Sequence, residues 1–457
     1  MNSTRSCFTH SHLLSLVKSA FNLATENPGT ANMRSNIKPK AISTADCLMS
    51  GLAIFSLKYP SLLQFEKAKM DEPFVRHNLG SLYGINHPPC DTYIRERLDD
   101  QNFFAPIRRA FVSLFHNLQR SKVLEDWRFI DGKYLISLDA SGFFSSKDIK
   151  CDYCCTKVTN KGKEDEATLY HHQMLVGAIV SPGVKQVLPI GFEPIIKSDG
   201  SKKNDCERSA AKRWLEIFRE HHPKLQTIIV ADGLYSNAPF IKLLKAKNCS
   251  FILSAKEDDH KFMYEYFRAG SGEDICEFED SYIKPAPATH KQIRIHGKYR
   301  FMNNVPLNDS NDDLRVNVLE YKEEDPRTKK VTTWVWVTDI ELTKSVAKQI
   351  MKGGRARWRI ENETFNTLKN QGYNFEHNFG HGNKGLSNVF AGLMLLAFYI
   401  DQILEACNLE YQKLRVKYGA KYSMFEKVRN VFCIFMISSF ERLYEALITG
   451  PPQDRWL

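Results

Sequence analysis

Three carboxylates far apart in the chain have the setting that metal-assisted chemistry needs. Tyr134-Leu135-Ile136-Ser137-Leu138 is a short apolar run that reads as a buried strand ending in Asp139, and Thr227-Ile228-Ile229-Val230-Ala231 is a second, ending in Asp232. Carboxylates at strand ends converge above a sheet edge, where a hydrated Mg²⁺ can bridge them while waters and a substrate phosphate complete its shell. The plainer use of an aspartate there is to open a turn or cap a helix. The third piece is K-G-G-R-A-R-W-R-I-E-N-E-T-F-N-T-L-K, residues 352–369. Arg357 and Glu361 are four apart and share a helix face. Lys352, Arg355, Arg357 and Arg359 set four cations just before the acid, and Trp358, Ile360, Phe365 and Leu368 pack the helix on something. An acid ringed by arginines suits a site holding a metal and a phosphodiester together. A salt-bridged helix start is the alternative.

The order L-D, V-A-D-G, R-W-x-I-E-N resembles the DDE transposases of bacterial insertion sequences, and among them the cut-and-paste group with a Tyr-x2-Arg-x3-Glu-x6-Lys signature. Carried across, Asp139 and Asp232 match the two aspartates, Glu361 the glutamate and Arg357 the arginine. The signature tyrosine falls on Gly354 and the lysine on Leu368, with Lys369 one residue later and about 80° off the Glu361 face. Glu363, four after Arg359, is a rival third acid; the R-W-x-I-E context selects Glu361.

The resemblance covers roughly residues 130–400 and implies an RNase H-like core with an insertion before the last acid. It implies Mg²⁺, with Mn²⁺ able to substitute, as two ions held by Asp139, Asp232 and Glu361, and DNA contacts from Arg355, Arg357, Arg359 and Lys369. The partners are double-stranded DNA, as element ends and as target, and a second copy of the chain pairing two ends. The reaction is in-line displacement at phosphorus, with two metal ions about 4 Å apart activating the attacking oxygen and stabilising the leaving one. Water frees a 3′ hydroxyl, which then attacks target DNA. An inactive DNA-binding derivative and a stand-alone RNase H-like nuclease are the rival readings.

The elements that must position these residues give an α/β fold: an RNase H-like mixed-sheet core interrupted by a β-rich insertion, with helical N- and C-terminal regions. Residues 1–128 read as a helical DNA-binding region, 129–255 as the first part of the core, 256–342 as the insertion, 343–405 as the last core helices and 406–457 as a helical tail. Leu13, Leu14, Leu16, Val17, Ala20 and Phe21 have helical spacing, which Asn27-Pro28-Gly29 and a polar loop to about residue 41 end. Strands are expected at 170–180, 187–190 and 250–254, and helices at 205–221, 238–247, 357–370, 386–408 and 424–449. In the insertion, Trp334 and Trp336 alternate onto one strand face. They are either a platform for an extruded base or two core side chains. Arg95, Arg97, Arg108, Arg109 and Arg120 make the N-terminal helices a candidate end reader.

Composition agrees with these readings. The 457 residues carry 63 Lys+Arg against 53 Asp+Glu, a net +10 that leans towards a polyanionic partner. With 43% hydrophobic and 25% charged residues, a disordered chain and a small disulfide scaffold are excluded. The eleven cysteines are odd in number and scattered, as in a reduced cytoplasmic protein. The longest apolar run, Val389 to Ile400, has twelve residues where a membrane span needs about twenty, so no membrane role is expected. Cys151-x2-Cys154, with Cys155 next and His171-His172 later, has half the spacing of a zinc site, but adjacent strand histidines diverge and a second well-spaced pair is lacking. His377 and His381 are four apart, with Gly380 and Gly382 placing them in a turn rather than a helix.

Overall fold

The computed structural model describes residues 8–26, 42–197, 204–270, 274–285 and 292–450. The polar loop expected up to residue 41 lies outside them. The core is built on β1 (Tyr134–Ser146), β2 (Cys155–Thr159), β3 (Ala167–Val180), β4 (Leu188–Ile195), β5 (Thr227–Ala231) and β6 (Ser250–Ser254). β1, β3 and β4 pair antiparallel, while β5 and β6 run parallel to β1, giving the mixed order β4-β3-β1-β5-β6 of an RNase H-like core. Every residue of β5 is buried, as expected of a central parallel strand covered on both faces.

The insertion continues this sheet. Its strands are β7 (Ile275–Pro285), β8 (Gln292–Asn308), β9 (Asn311–Glu324) and β10 (Val331–Thr338), and β10 pairs antiparallel with β6. One sheet of ten strands results among the described residues. Helix Glu207–His221 packs on β3 and β4, where Gly177 and Gly191 leave room for the Trp214 indole. Helix Ala238–Ala246 returns the chain from β5 to β6, and helix Lys261–Ala269 lies on β8. After β10, helix Lys344–Ala356 packs beside β5, β6 and β9. It runs into a π-helical turn (Ile360–Phe365) and a short helix (Asn366–Asn370).

The long helix Leu386–Cys407 is apolar enough by length and composition to cross a membrane, longer than the twelve-residue run read from sequence. It lies inside the protein, 89% of its most apolar window buried, which is the behaviour of a core helix. Around it pack helices Thr44–Ser56 and Phe104–Arg120 and strand β4. Lys58 and Asp401 pair at 2.7 Å in this core, where Tyr373 and Tyr411 also donate to Asp401.

The N- and C-terminal helical regions share one core. His10 of helix His10–Glu26 stacks on Phe440 at 3.8 Å and bonds to the Tyr444 hydroxyl. The single helix expected at 424–449 is two, Lys421–Ile434 and Phe440–Thr449. Buried Asn78 explains the break: its amide donates to the carbonyls of Phe432 and Phe435, and its oxygen accepts from the Ile437 N–H.

Candidate active site

β1 does not end at Asp139, as the apolar run implied. The strand continues to Ser146 because its ladder with β3 goes on past the point where β5 stops. The last β1–β5 pair is Ser137 with Val230, so Asp139 and Asp232 stand two residues beyond it in the same register. Asp232 also serves the plainer purpose, its Oδ1 accepting from the Leu234 N–H at 2.9 Å. Asp139 Oδ1 accepts from the Ala140 N–H at 3.0 Å.

Ser137 and Asp139 alternate onto one face of β1. On that face Ser137 Oγ donates to the Arg357 carbonyl at 3.3 Å, and Arg357 Nη1 lies 3.9 Å from Asp139 Oδ2. The π-helical turn that carries Glu361 packs against β1. Ile360, Thr364 and Phe365 turn inwards from it, while Glu361 is exposed. Among the described residues Glu361 makes no hydrogen bond or ion pair with either aspartate. The structure therefore brings Asp139, Asp232 and Arg357 together and sets Glu361 on the adjoining turn, open to solvent.

A fourth acid belongs to this neighbourhood. Glu207, first residue of helix Glu207–His221, accepts from the Tyr235 hydroxyl at 2.8 Å, and burial raises its carboxyl above the usual range. Asp139 is pushed up to about 6, first by burial, against the pull of Arg357, and further by the charges of Glu207 and Asp232. Clustered, partly desolvated carboxylates with a single arginine leave an excess of negative charge that a cation relieves. Glu207 escaped notice in the sequence because it opens a helix rich in charge, where an N-terminal glutamate normally needs no further explanation.

The three arginines before Glu361, and Lys369 after it, are engaged. Arg355 pairs with Glu323 at 2.6 Å, reaches the Tyr282 hydroxyl and lies over the Trp334 ring. Arg357 lies over Trp358, Arg359 donates to the Pro182 carbonyl at 3.0 Å, and Lys369 pairs with Glu376 at 2.8 Å. Lys348, Lys352, Arg355 and Arg359 line a groove of about 790 Å³ facing Tyr282 and Tyr299 of the insertion.

The base-platform reading of Trp336 is corrected by its surroundings. The ring is 2% exposed and lies so close over Gly354 that a Cβ there would fall 2.4 Å from its Nε1. That contact also accounts for glycine where the resemblance expects tyrosine. Trp334 is half-buried and stacks on Tyr321. Of the N-terminal arginines, Arg108 is bound to Glu193 at 2.5 Å and Arg97 to the Thr44 hydroxyl, which removes both from an outward DNA-reading face.

Asp139 within β1 and Asp232 just past β5 thus lie side by side on a mixed sheet, beside a basic helical turn. A model of the transposase DDE domain matches residues 155–399, more than half of the chain, and the chain belongs to that family. Asp232 and Glu361 fall inside the matched segment, and Asp139 precedes it. No curated protein matches the chain. The family gives it a transposase function in DNA transposition.

Proposed function

We propose that the chain cleaves DNA at the ends of its own element and joins the freed ends to target DNA, with Asp139, Asp232 and Glu361 as the metal-holding acids. The family supports the transposase reading; the register of Asp139 and Asp232 beside Arg357 carries the assignment of residues. The donor set fits divalent cations: hard carboxylate oxygens, few in number, with a half-buried acid that desolvation and like charge disfavour in ionised form. Mg²⁺, or Mn²⁺ in its place, would supply charge that activates the attacking oxygen and stabilises the leaving one.

The chain's own groups do the rest. Asp139 and Asp232, fixed by neighbouring parallel strands, hold their carboxylates in place without loop motion. Glu361 closes the set from the π-helical turn. Arg357 sits where it can neutralise a phosphodiester oxygen beside Asp139. The groove lined by Lys348, Lys352, Arg355 and Arg359 supports a path for duplex DNA, the cations fixing its backbone. Water is the first nucleophile and the freed 3′ hydroxyl the second, so no covalent protein intermediate is needed. Membership of the cut-and-paste group rests on the R-W-R-I-E segment, and a pair of chains bridging two ends in the bacterial cytoplasm is the working assembly.

The test is to incubate the full chain with duplexes carrying the element ends, a second unrelated duplex and Mg²⁺. Products joined to the second duplex are expected. Nicked ends that never join would overturn the transposition reading in favour of a nuclease, and bound but uncut ends would point to a DNA-binding protein.

A further inference from the structure

A cluster of metal-ligating side chain types lies apart from the acids, where four side chains from three separate segments meet. Cys151 and Cys154 come from the turn between β1 and β2, His172 from β3, and His381 from the loop before helix Leu386–Cys407. Their four donor atoms all lie within 4.8 Å of one another. We propose that Cys151, Cys154, His172 and His381 bind one structural zinc ion.

The spacing is that of a coordination shell. The two sulfurs are 3.7 Å apart, His172 Nε2 is 3.5 and 3.4 Å from them, and His381 Nε2 is 3.5 Å from Cys154 Sγ. Zn–S of about 2.3 Å and Zn–N of about 2.0–2.1 Å at tetrahedral angles require separations of about 3.8 Å between sulfurs and about 3.5 Å from sulfur to nitrogen. A disulfide needs about 2.05 Å between sulfurs, and both cysteines are free. Both imidazoles are buried and both aim Nε2 into the cluster, while neither Nδ1 has a hydrogen-bond partner. Among the described residues, the sulfurs are the hydrogen-bond partners that these two rings have. That is a poor bargain for two buried histidines unless an ion sits among the donors.

The surroundings are built to hold the ligands. The Cys151 N–H points at Cys154 Sγ from 3.4 Å, as suits a thiolate. Phe143 stacks on His172 at 6.1 Å and Phe144 lies 4.3 Å from His381. The His381 loop turns through Gly380 and Gly382, both at positive φ, and Asp99 anchors it by accepting from the N–H groups of Asn383, Lys384 and Leu386. The expectation that adjacent strand histidines diverge holds: only His172 enters. The missing fourth ligand comes from a segment more than two hundred residues beyond the cysteines.

Four protein ligands leave no open position, so this ion is a clasp and not a catalyst. It ties the hairpin that continues from the Asp139 strand to the loop that follows the Glu361 turn. On binding, both thiols enter as thiolates and their protons leave to the buffer.

The full chain should purify under reducing conditions with about one zinc per chain, measured by elemental analysis. Replacing zinc with Co²⁺ should give the intense visible bands of tetrahedral sulfur ligation. Cys154→Ser and His381→Ala should drop the zinc content at least tenfold. Asp139→Asn and Cys206→Ser, which lie outside the cluster, should keep it. A wild-type chain that takes up neither zinc nor Co²⁺ from supplemented buffer overturns the proposal, as does zinc retained in Cys154→Ser. Where a variant fails to fold, the wild-type Co²⁺ spectrum decides alone.

Discussion

Asp139, within β1, and Asp232, one residue past the end of β5, each stand two residues beyond the last pair of these parallel strands, Ser137 with Val230. Neighbouring parallel strands lie about 4.8 Å apart, so this alignment fixes the two carboxylates beside one another without help from loops. The arrangement stores unfavourable charge, and its consequences are measurable.

In the metal-free protein the Asp139 carboxyl is raised from 3.8 to about 6, first by burial. A raised folded value favours the protonated fold: the contribution is fully present below pH 3.8 and is lost as pH rises through about 6. Asp139→Asn escapes that loss. The variant is expected to be more stable than wild type by about 1–3 kcal/mol at pH 7.5 without divalent cations. The difference should shrink towards pH 4. Added Mg²⁺ should stabilise wild type alone. Thermal melts at both pH values, with and without Mg²⁺, check this.

Gly354 and Trp336 form a pair matched in size. Gly354→Ala is expected to cost about 1–3 kcal/mol by overpacking. Gly183→Ala, where no atom lies within 4 Å of the new Cβ, should change little. Combining Gly354→Ala with Trp336→Phe should cost less than the sum of the two, because the smaller ring yields room. Urea unfolding of the three single variants and the double variant measures this directly.

These cases mark what could be read from residues alone. The β5 and β6 boundaries match expectation because each is a short apolar run, Ile228–Ala231 and Phe251–Leu253, bounded by polar residues that leave little choice. β1 runs longer than expected because Ala140-Ser141-Gly142 carry no apolar alternation, while the backbone ladder with β3 holds them. The R-W-R-I-E segment was legible as a helical turn near the acids, but its π-helical form was not. Glu207 and His381 were hidden for another reason: what each does depends on partners remote in sequence, and no local pattern encodes that.

The buried Lys58–Asp401 pair joins the N-terminal helices to the central helix, with the Lys58 ammonium 4.0 Å from the Tyr373 ring centroid. Burial depresses the Lys58 ammonium, and Asp401 opposes this. Lys58→Met is expected to cost about 3–5 kcal/mol, because it strands a buried carboxylate. Lys58→Met with Asp401→Asn should recover most of that, since no charge is then buried: the amide oxygen accepts from one of the two tyrosine hydroxyls and the amide NH2 donates to the other. Equilibrium denaturation of both variants tests the pair.

The most direct test of the central claim is single-turnover cleavage of element-end DNA in Mg²⁺ by Asp139→Asn, Asp232→Asn and Glu361→Gln, with Glu363→Gln alongside. Loss of a metal-holding acid removes several kcal/mol of transition-state stabilisation. Each of the first three rates should therefore fall by roughly a thousandfold or more, and Glu363→Gln should stay within about tenfold of wild type. Glu361→Gln cleaving at the wild-type rate, with Glu363→Gln or Glu207→Gln inactive in its place, would contradict the account.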